Sequence, residues 1–435
     1  MGYQKIREEG TVKAQVSSPE KIMKENANQA IRAVLFTVFL MIVAGWIMLF
    51  DTGLVFEGQQ NQAHFSNLVL TRLAGSFVGA LILIGAWLMP TRVIRKLTIP
   101  ALFVAVILLM MIWTRYGIAE RGSTRWIEIF GIRFQPLEFA KLAIVWFLAD
   151  QFAHTGLLSK VKADRLWFPA IVAVLIIGLV AAQPNISGAV FLIGIVFAMA
   201  FLAGINGRLA GGLIITGVAA FAGMLALHPE KIARLMPMFK PLSDLGGSGY
   251  QVGLSQWAIT TGGLFGKGPG NSIAMYSLPD HSTDFIFSII CEEWGFVGGF
   301  IVILAFAILV FSGFRLALTQ KDRFRLLFGC GVTTIIGLQA AINIGVTLGL
   351  LPTTGMPLPF LSAGGSNLLL SLLEIGLLLN LGRTAGAEME TAKPEPSATK
   401  EARKMSRRFE SIKGGKATQR QAELTRNAVK RRMAR

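Results

Sequence analysis

Charged side chains make up only 15% of the 435 residues, against 53% that are hydrophobic. A soluble chain of this length could not keep that much apolar surface from water, so the composition excludes an ordinary globular domain. Cysteine is nearly absent. Cys291 and Cys330 are the two present, in separate apolar runs expected to traverse in opposite directions, and no disulfide is expected between them. Of the four histidines, His64, His154 and His228 show no metal-ligand spacing, which excludes a zinc site. There is no Gly-Lys-Ser phosphate loop and no nucleophile elbow. The opening MGYQKIREEG lacks the hydrophobic core of a signal peptide, so the first apolar run is expected to be retained as a span. No strong internal repeat is visible, which weighs against an inverted-repeat transporter.

What is present is a series of apolar runs, several of them near the roughly 20 residues needed to cross a hydrocarbon core. Ten are expected to span: 33–50, 68–89, 98–114, 136–153, 167–183, 186–204, 209–227, 284–313, 326–350 and 367–382. The fold class is therefore an all-α polytopic integral membrane protein. Its expected layout is an N-terminal tail over 1–32, a membrane domain over 33–382 with a large outer loop at 228–283, and a basic C-terminal tail over 383–435.

The net charge of +17 invites a nucleic-acid reading, but its location argues for a membrane instead. Arg92, Arg95, Lys96, Lys160, Lys162, Arg165, Arg208, Arg315, Lys321, Arg323 and Arg325 occupy alternate loops. That is the positive-inside pattern, with both termini cytoplasmic. The C-terminal tail, with Pro394, Pro396 and mixed charges, reads as largely disordered, and from Lys400 onward as able to form a basic amphipathic helix on the anionic inner leaflet.

One outer segment breaks the charge rule. Arg115, Arg121, Arg125 and Arg133 stand against Glu120 and Glu128. They either snorkel to headgroups or wait for an anion such as a phosphate. The outer loop 228–283 carries the run Gly262, Gly263, Gly266, Gly268 and Gly270, and short or re-entrant helices are expected near 250–262. Lys267 sits within that run, a weak signal for phosphate contact by itself.

Intramembrane charges point to function or to structural pairing. Glu138 and Lys141 share one face of the fourth span at i and i+3, behind Pro136 in the first turn. Glu292 and Glu293 lie in the eighth. Asp284 stands at that span's outer mouth, where a carboxylate can reach a substrate at the membrane surface. Its plainer role is to complement the helix dipole, with Thr283 as the cap. Asn343 and Glu374 read as polar glue between helices, and the Gly/Pro-rich stretch 351–366 as a shaped outer loop.

These segments together resemble the SEDS family (shape, elongation, division and sporulation; FtsW/RodA/SpoVE). The resemblance rests on Arg125 and Trp126; Gln135, Pro136, Glu138, Phe139 and Lys141; Gln183 and Pro184; Tyr250 and Gln251; Leu278 and Pro279 through Asp284 and Phe287; Glu292, Glu293 and Gly295; and Pro352 to Gly355 with Gly364, Gly365 and Ser366. It covers most of 33–382. It implies a peptidoglycan glycosyltransferase of the bacterial inner membrane that polymerises lipid II on the outer face, most like the cell-division branch. An elongation polymerase and a lipid II flippase are the alternatives.

In that reading Asp284 is catalytic, Arg125, Trp126, Glu138, Lys141, Lys267 and Ser366 bind or shape the substrate site, and no protein metal ligand is assigned. The resemblance also leaves room for a divalent cation, magnesium or manganese. It implies a class B penicillin-binding protein and other divisome proteins as partners. Where the family carries His two residues before the catalytic Asp, this chain has Ser282, with His281 beside it.

Overall fold

The computed structural model describes residues 19–56, 62–120, 123–129, 131–154, 166–205 and 248–391, with the single residues Gly211, Gly212, Gly217 and Gly223. Apart from those glycines the seventh expected span lies outside the described residues. So do Arg121, Lys160, Lys162, Arg165, Arg208, His228, the loop part 228–247 and the tail from 392. Met1–Gly386 forms one compact unit and Ala387–Arg435 a second, of which only the first five residues are described.

Each of the other nine expected spans falls on helix. In chain order the elements are α1 (Pro19–Phe56), α2 (Gln62–Leu88), a short α3 (Thr91–Lys96) and α4 (Thr98–Met111). Strands β1 (Gly117–Glu120), β2 (Ser123–Ile129) and β3 (Ile132–Phe134) follow. Then come α5 (Pro136–Ala153), α6 (Trp167–Ala181), α7 (Ile186–Leu202), α8 (Ser248–Thr261), α9 (Ile286–Leu318), α10 (Arg323–Thr347) and α11 (Gly365–Thr391). Helices are the form in which an isolated apolar segment satisfies its own backbone in lipid. α1 begins inside the expected N-terminal tail and α11 runs beyond 382, because helical hydrogen bonding does not stop where the apolar run does.

Burial sorts the helices. α5 is buried along nearly all of Leu137–Ala149, and the spanning window of α11 is 83% buried against 22% for that of α2. α5 and α11 are thus interior, while α2, α4 and α6 turn Leu70, Phe77, Leu81, Phe103, Ile107, Ile171 and Val174 outward, as lipid-facing helices do. Cys291 and Cys330 are both free and buried. The arginines expected on the inner side tie helix ends together. Arg95 Nε donates to Asp150 at 2.8 Å, Arg323 to the Ala203 carbonyl at 2.8 Å, Arg325 to Thr91 at 3.4 Å and Arg383 to the Leu88 carbonyl at 3.0 Å.

The eighth span is interrupted. Gly295 sits at φ 67° inside α9, and the backbone groups released there are taken up by the glycine run. Lys267 N and Gly268 N donate to the Glu292 and Glu293 carbonyls at 2.9 and 3.0 Å, and Phe296 N and Val297 N donate to Gly263 and Leu264 at 2.8 and 3.2 Å. This is how a break is tolerated at membrane depth. The expected helix near 250–262 is present as α8, and the expected close backbone approach is the contact at Gly295.

A Cβ at Gly295 would collide with the Leu264–Gly266 backbone, and its φ of 67° with ψ of -164° lies where essentially only glycine goes, at a cost to other residues of about 1–3 kcal/mol more. Gly295→Ala is therefore expected to lower the thermal unfolding midpoint in detergent by several degrees. Gly178→Ala, where a Cβ meets nothing within 4 Å, leaves it unchanged or slightly raised.

The segment expected to be an arginine-rich outer loop is instead a three-stranded antiparallel sheet, β1-β2-β3. Among the described residues the membrane-crossing elements are all helices; the sheet is an addition that alternation over so few residues did not reveal.

Candidate active site

Asp284 lies just ahead of α9. The helix is capped at Phe285, with no side-chain cap bond, and Thr283 Oγ1 donates backward to the Asp280 carbonyl at 3.3 Å. Thr283 is therefore not the cap, and Asp284 lies outside the first turn. Its backbone is organised by Asp280, which adopts φ 58° and whose carbonyl takes the amides of Thr283, Asp284 and Phe285. Asn343 Nδ2 on α10 clasps the Asp284 carbonyl at 2.8 Å and the Met356 carbonyl at 2.7 Å. The backbone of the carboxylate-bearing residue is thus fixed from two sides, and the helix N-terminus adds a positive field.

Arg125 arrives by a different route. Along β2 the pairs run Ala119 with Thr124 and then Ile118 with Trp126, so Arg125 is the extra residue of a β-bulge. Bulges re-aim the side chain they carry. Arg125 donates to the Pro184 carbonyl at 3.2 Å, which ties the sheet to the turn between α6 and α7. There Gln183 Nε2 holds the Leu109 carbonyl at 3.1 Å and Asn185 caps α7 through the Gly188 amide at 3.1 Å.

The two groups meet at Gly355. This residue has φ 68°, and a Cβ on it would stand 3.5 Å from Asp284 Oδ2 and 3.9 Å from Arg125 Nη1. A carboxylate and a guanidinium thus border the same point, one that glycine keeps clear.

Beneath them runs a buried polar chain. Lys141 Nζ donates to Glu138 Oε2 at 2.8 Å and to Gln339 Oε1 at 2.5 Å, and it stands 5.1 Å from the Phe191 ring centroid. Gln339 Nε2 donates to the Pro357 carbonyl at 2.9 Å and to Asn367 Oδ1 at 3.0 Å. Glu374 on α11 acts electrostatically on the same pair. Glu138 and Lys141 thus support the 351–366 loop from below.

Of the remaining expected site residues, Lys267 and Ser366 have structural partners. Lys267 Nζ pairs with Glu292 at 2.5 Å and stands 4.7 Å from the Trp257 ring centroid. Glu292 is fully buried and also accepts from Ser272 Oγ, Ile273 N and Ala274 N. Glu293 is buried as well. Ser366 Oγ donates to the Arg133 carbonyl at 2.9 Å, joining α11 to β3. Trp126 is half-buried on β2. Among the described residues no three His, Cys, Asp or Glu side chains gather to hold a metal ion.

His281 Nδ1 lies 3.1 Å from the Leu278 carbonyl. Burial holds its pKa below the ordinary value of 6.5, outweighing the opposite pull of the Leu278 carbonyl and Asp280. The opened loop therefore binds a proton more readily than the closed one, so the stabilisation from neutral His281 is present above the ordinary value and lost as pH falls. The protection of the 280–285 amides, read as hydrogen-exchange rates divided by the intrinsic rate at each pH, is expected to fall as pH drops below the ordinary histidine value of 6.5. His281→Gln flattens that dependence.

The profile of the FtsW/RodA/SpoVE family, described as cell cycle proteins, matches residues 32–386. The chain belongs to this family. Stage V sporulation protein E of Bacillus subtilis is 37% identical over 279 residues, 64% of this chain and 76% of that protein. A probable peptidoglycan glycosyltransferase FtsW of Trichlorobacter lovleyi is 33% identical over 362 residues, 79% of this chain and 92% of that protein. A chain from a solved peptidoglycan synthase complex that coordinates polymerization and crosslinking superposes with TM-score 0.68 at 26% identity, covering 81% of this chain and 97% of that one. As an FtsW/RodA/SpoVE member with several membrane-crossing helices, this is a multi-pass protein of the inner membrane.

Proposed function

We propose that this family member is a peptidoglycan glycosyltransferase that polymerises lipid II on the outer face of the cytoplasmic membrane, in septal wall synthesis. The observation that carries the reading is the meeting of the Asp284 carboxylate and the Arg125 guanidinium at Gly355, at the end of the bundle opposite the arginine-tied helix ends. Positive-inside orientation puts that end outside and both termini in the cytoplasm.

The chemistry follows from the two groups. Asp284 takes the proton from a sugar 4-hydroxyl as its oxygen attacks the anomeric carbon of a second lipid-linked chain. The bond from that carbon to pyrophosphate breaks, and the pyrophosphate leaves with the electron pair. Arg125 offsets the charge that develops on it. One carboxylate base and one displacement invert an α-linked donor to a β-linked product. Glu138 and Lys141 hold the cavity floor, Trp126 flanks Arg125 at the surface, Ser366 secures the sheet, and Lys267 stiffens the glycine run. A class B penicillin-binding protein is the natural crosslinking partner. Its counterpart is the coupling of polymerization to crosslinking in the synthase complex that this chain resembles.

Liposomes containing the full chain and its partner transpeptidase, supplied with labelled lipid II, should yield a ladder of glycan polymer. Translocation of lipid II with no polymer would replace this reading with transport.

A further inference from the structure

Arg72 lies on α2 in the apolar stretch Val69–Leu88 and is 1% exposed. A buried guanidinium needs compensation, and here it comes from three consecutive backbone carbonyls. Nη2 donates to Phe360 O at 2.5 Å, and Nη1 to Ser362 O and, at 3.4 Å, to Leu361 O. The turn so gripped contains Phe360 at φ 65°, a left-handed conformation that a bulky residue holds only when its surroundings over-determine it.

The same turn is bonded to the segment entering Asp284. Ser362 Oγ accepts from Leu358 N at 2.8 Å and donates to Thr283 O at 2.6 Å, and Ala363 N donates to Ser282 O at 2.9 Å. A continuous path of hydrogen bonds thus leads from a lipid-facing helix to the residue before the carboxylate. The same loop carries Gly355, where Asp284 and Arg125 meet.

We propose that Arg72 is a positioning residue of the glycosyl-transfer site. By fastening the 360–362 turn it holds Asp284 and Gly355 in register with Arg125, without touching substrate. This rests on the function proposed for Asp284. The planar fork of arginine reaches three carbonyls at once. The point charge of lysine serves fewer of them, and methionine fills space but donates nothing. Arg72→Met removes the charge together with the donors, so it leaves no uncompensated ion that would unfold the helix bundle.

The test measures kcat and KM for lipid II with wild type, Arg72→Lys and Arg72→Met in transpeptidase-containing liposomes, together with hydrogen exchange of the Leu358, Ser362 and Ala363 amides. Displacing a base by about an ångström costs on the order of a hundredfold in rate. The expected result is a fall in kcat of roughly tenfold to a hundredfold for Arg72→Met, little change in KM, an intermediate value for Arg72→Lys, and faster exchange at the three amides. Wild-type kcat in Arg72→Met, or unchanged amide exchange, overturns the inference. A wild type that makes no polymer counts against the glycosyltransferase reading alone, and the exchange experiment still decides whether Arg72 fastens the turn. If Arg72→Met cannot be purified folded, Arg72→Lys decides by the same two readouts.

Discussion

Asp284→Asn is expected to abolish glycan polymerisation while leaving the protein folded. The substitution keeps the shape of the side chain and removes its ability to accept a proton in the transition state. General bases contribute about 10²–10⁴ in rate, so activity should drop at least about a hundredfold, to background. The backbone contacts that hold this residue are made to its carbonyl by Asn343 and to its amide by Asp280, and neither depends on the carboxylate. Both contacts should therefore survive the substitution, and the variant is expected to elute from size exclusion in detergent as the wild type does. Arg125→Met should lower polymerisation as well, since the leaving pyrophosphate loses its counter-charge. An Asp284→Asn protein that is folded and still polymerises lipid II at the wild-type rate would remove Asp284 from the role of base.

The largest stability effect is expected at Lys141. Its ammonium is 1% exposed and pairs with a Glu138 carboxylate that is 5% exposed. Lys141→Met leaves that carboxylate buried without its partner and takes a donor from Gln339. Breaking one side of a buried pair costs about 3–5 kcal/mol. The double substitution Glu138→Gln with Lys141→Met removes both charges and should recover much of the loss, because neutral, well-packed groups of similar volume replace such pairs at little cost. Thermal unfolding of the wild type, the two single variants and the double variant in one detergent gives the comparison. Equal loss in the single and double variants would mean that packing, not charge, sets the cost. Since Gln339 also carries the Pro357 carbonyl, the single variant should further loosen the loop above the pair and lower activity.

These two expectations were legible to different degrees. Asp284 and the Glu138/Lys141 pair could be picked out because charges inside apolar runs are costly, and their i and i+3 spacing follows from helix geometry. Arg72 carries the same signal, a charge in an apolar run, yet nothing nearby in sequence says what it holds. Its partners lie nearly 300 positions away at 360–362. Asn343 looked like polar glue, which describes its chemistry but not that it clasps the Asp284 carbonyl. Gln339 drew no reading from the sequence, and its hold on the Pro357 carbonyl is visible only in the fold.

The sequence by itself determined the membrane, because the surplus of apolar side chains has no other solvent. It also placed, through run length, nine stretches that fall on helices among the described residues. It placed Asp284 at the mouth of a helix. Tertiary structure alone decided that Arg125 is the bulged residue of a sheet and meets that carboxylate at Gly355. It alone decided that Lys267 is tied to Glu292, and that the glycine run closes a broken helix at Gly295. The reason is physical. Burial in lipid is a property of each stretch of chain and can be read locally, whereas a hydrogen-bond partner is chosen by whichever distant segment the packed helices bring within about 3 Å.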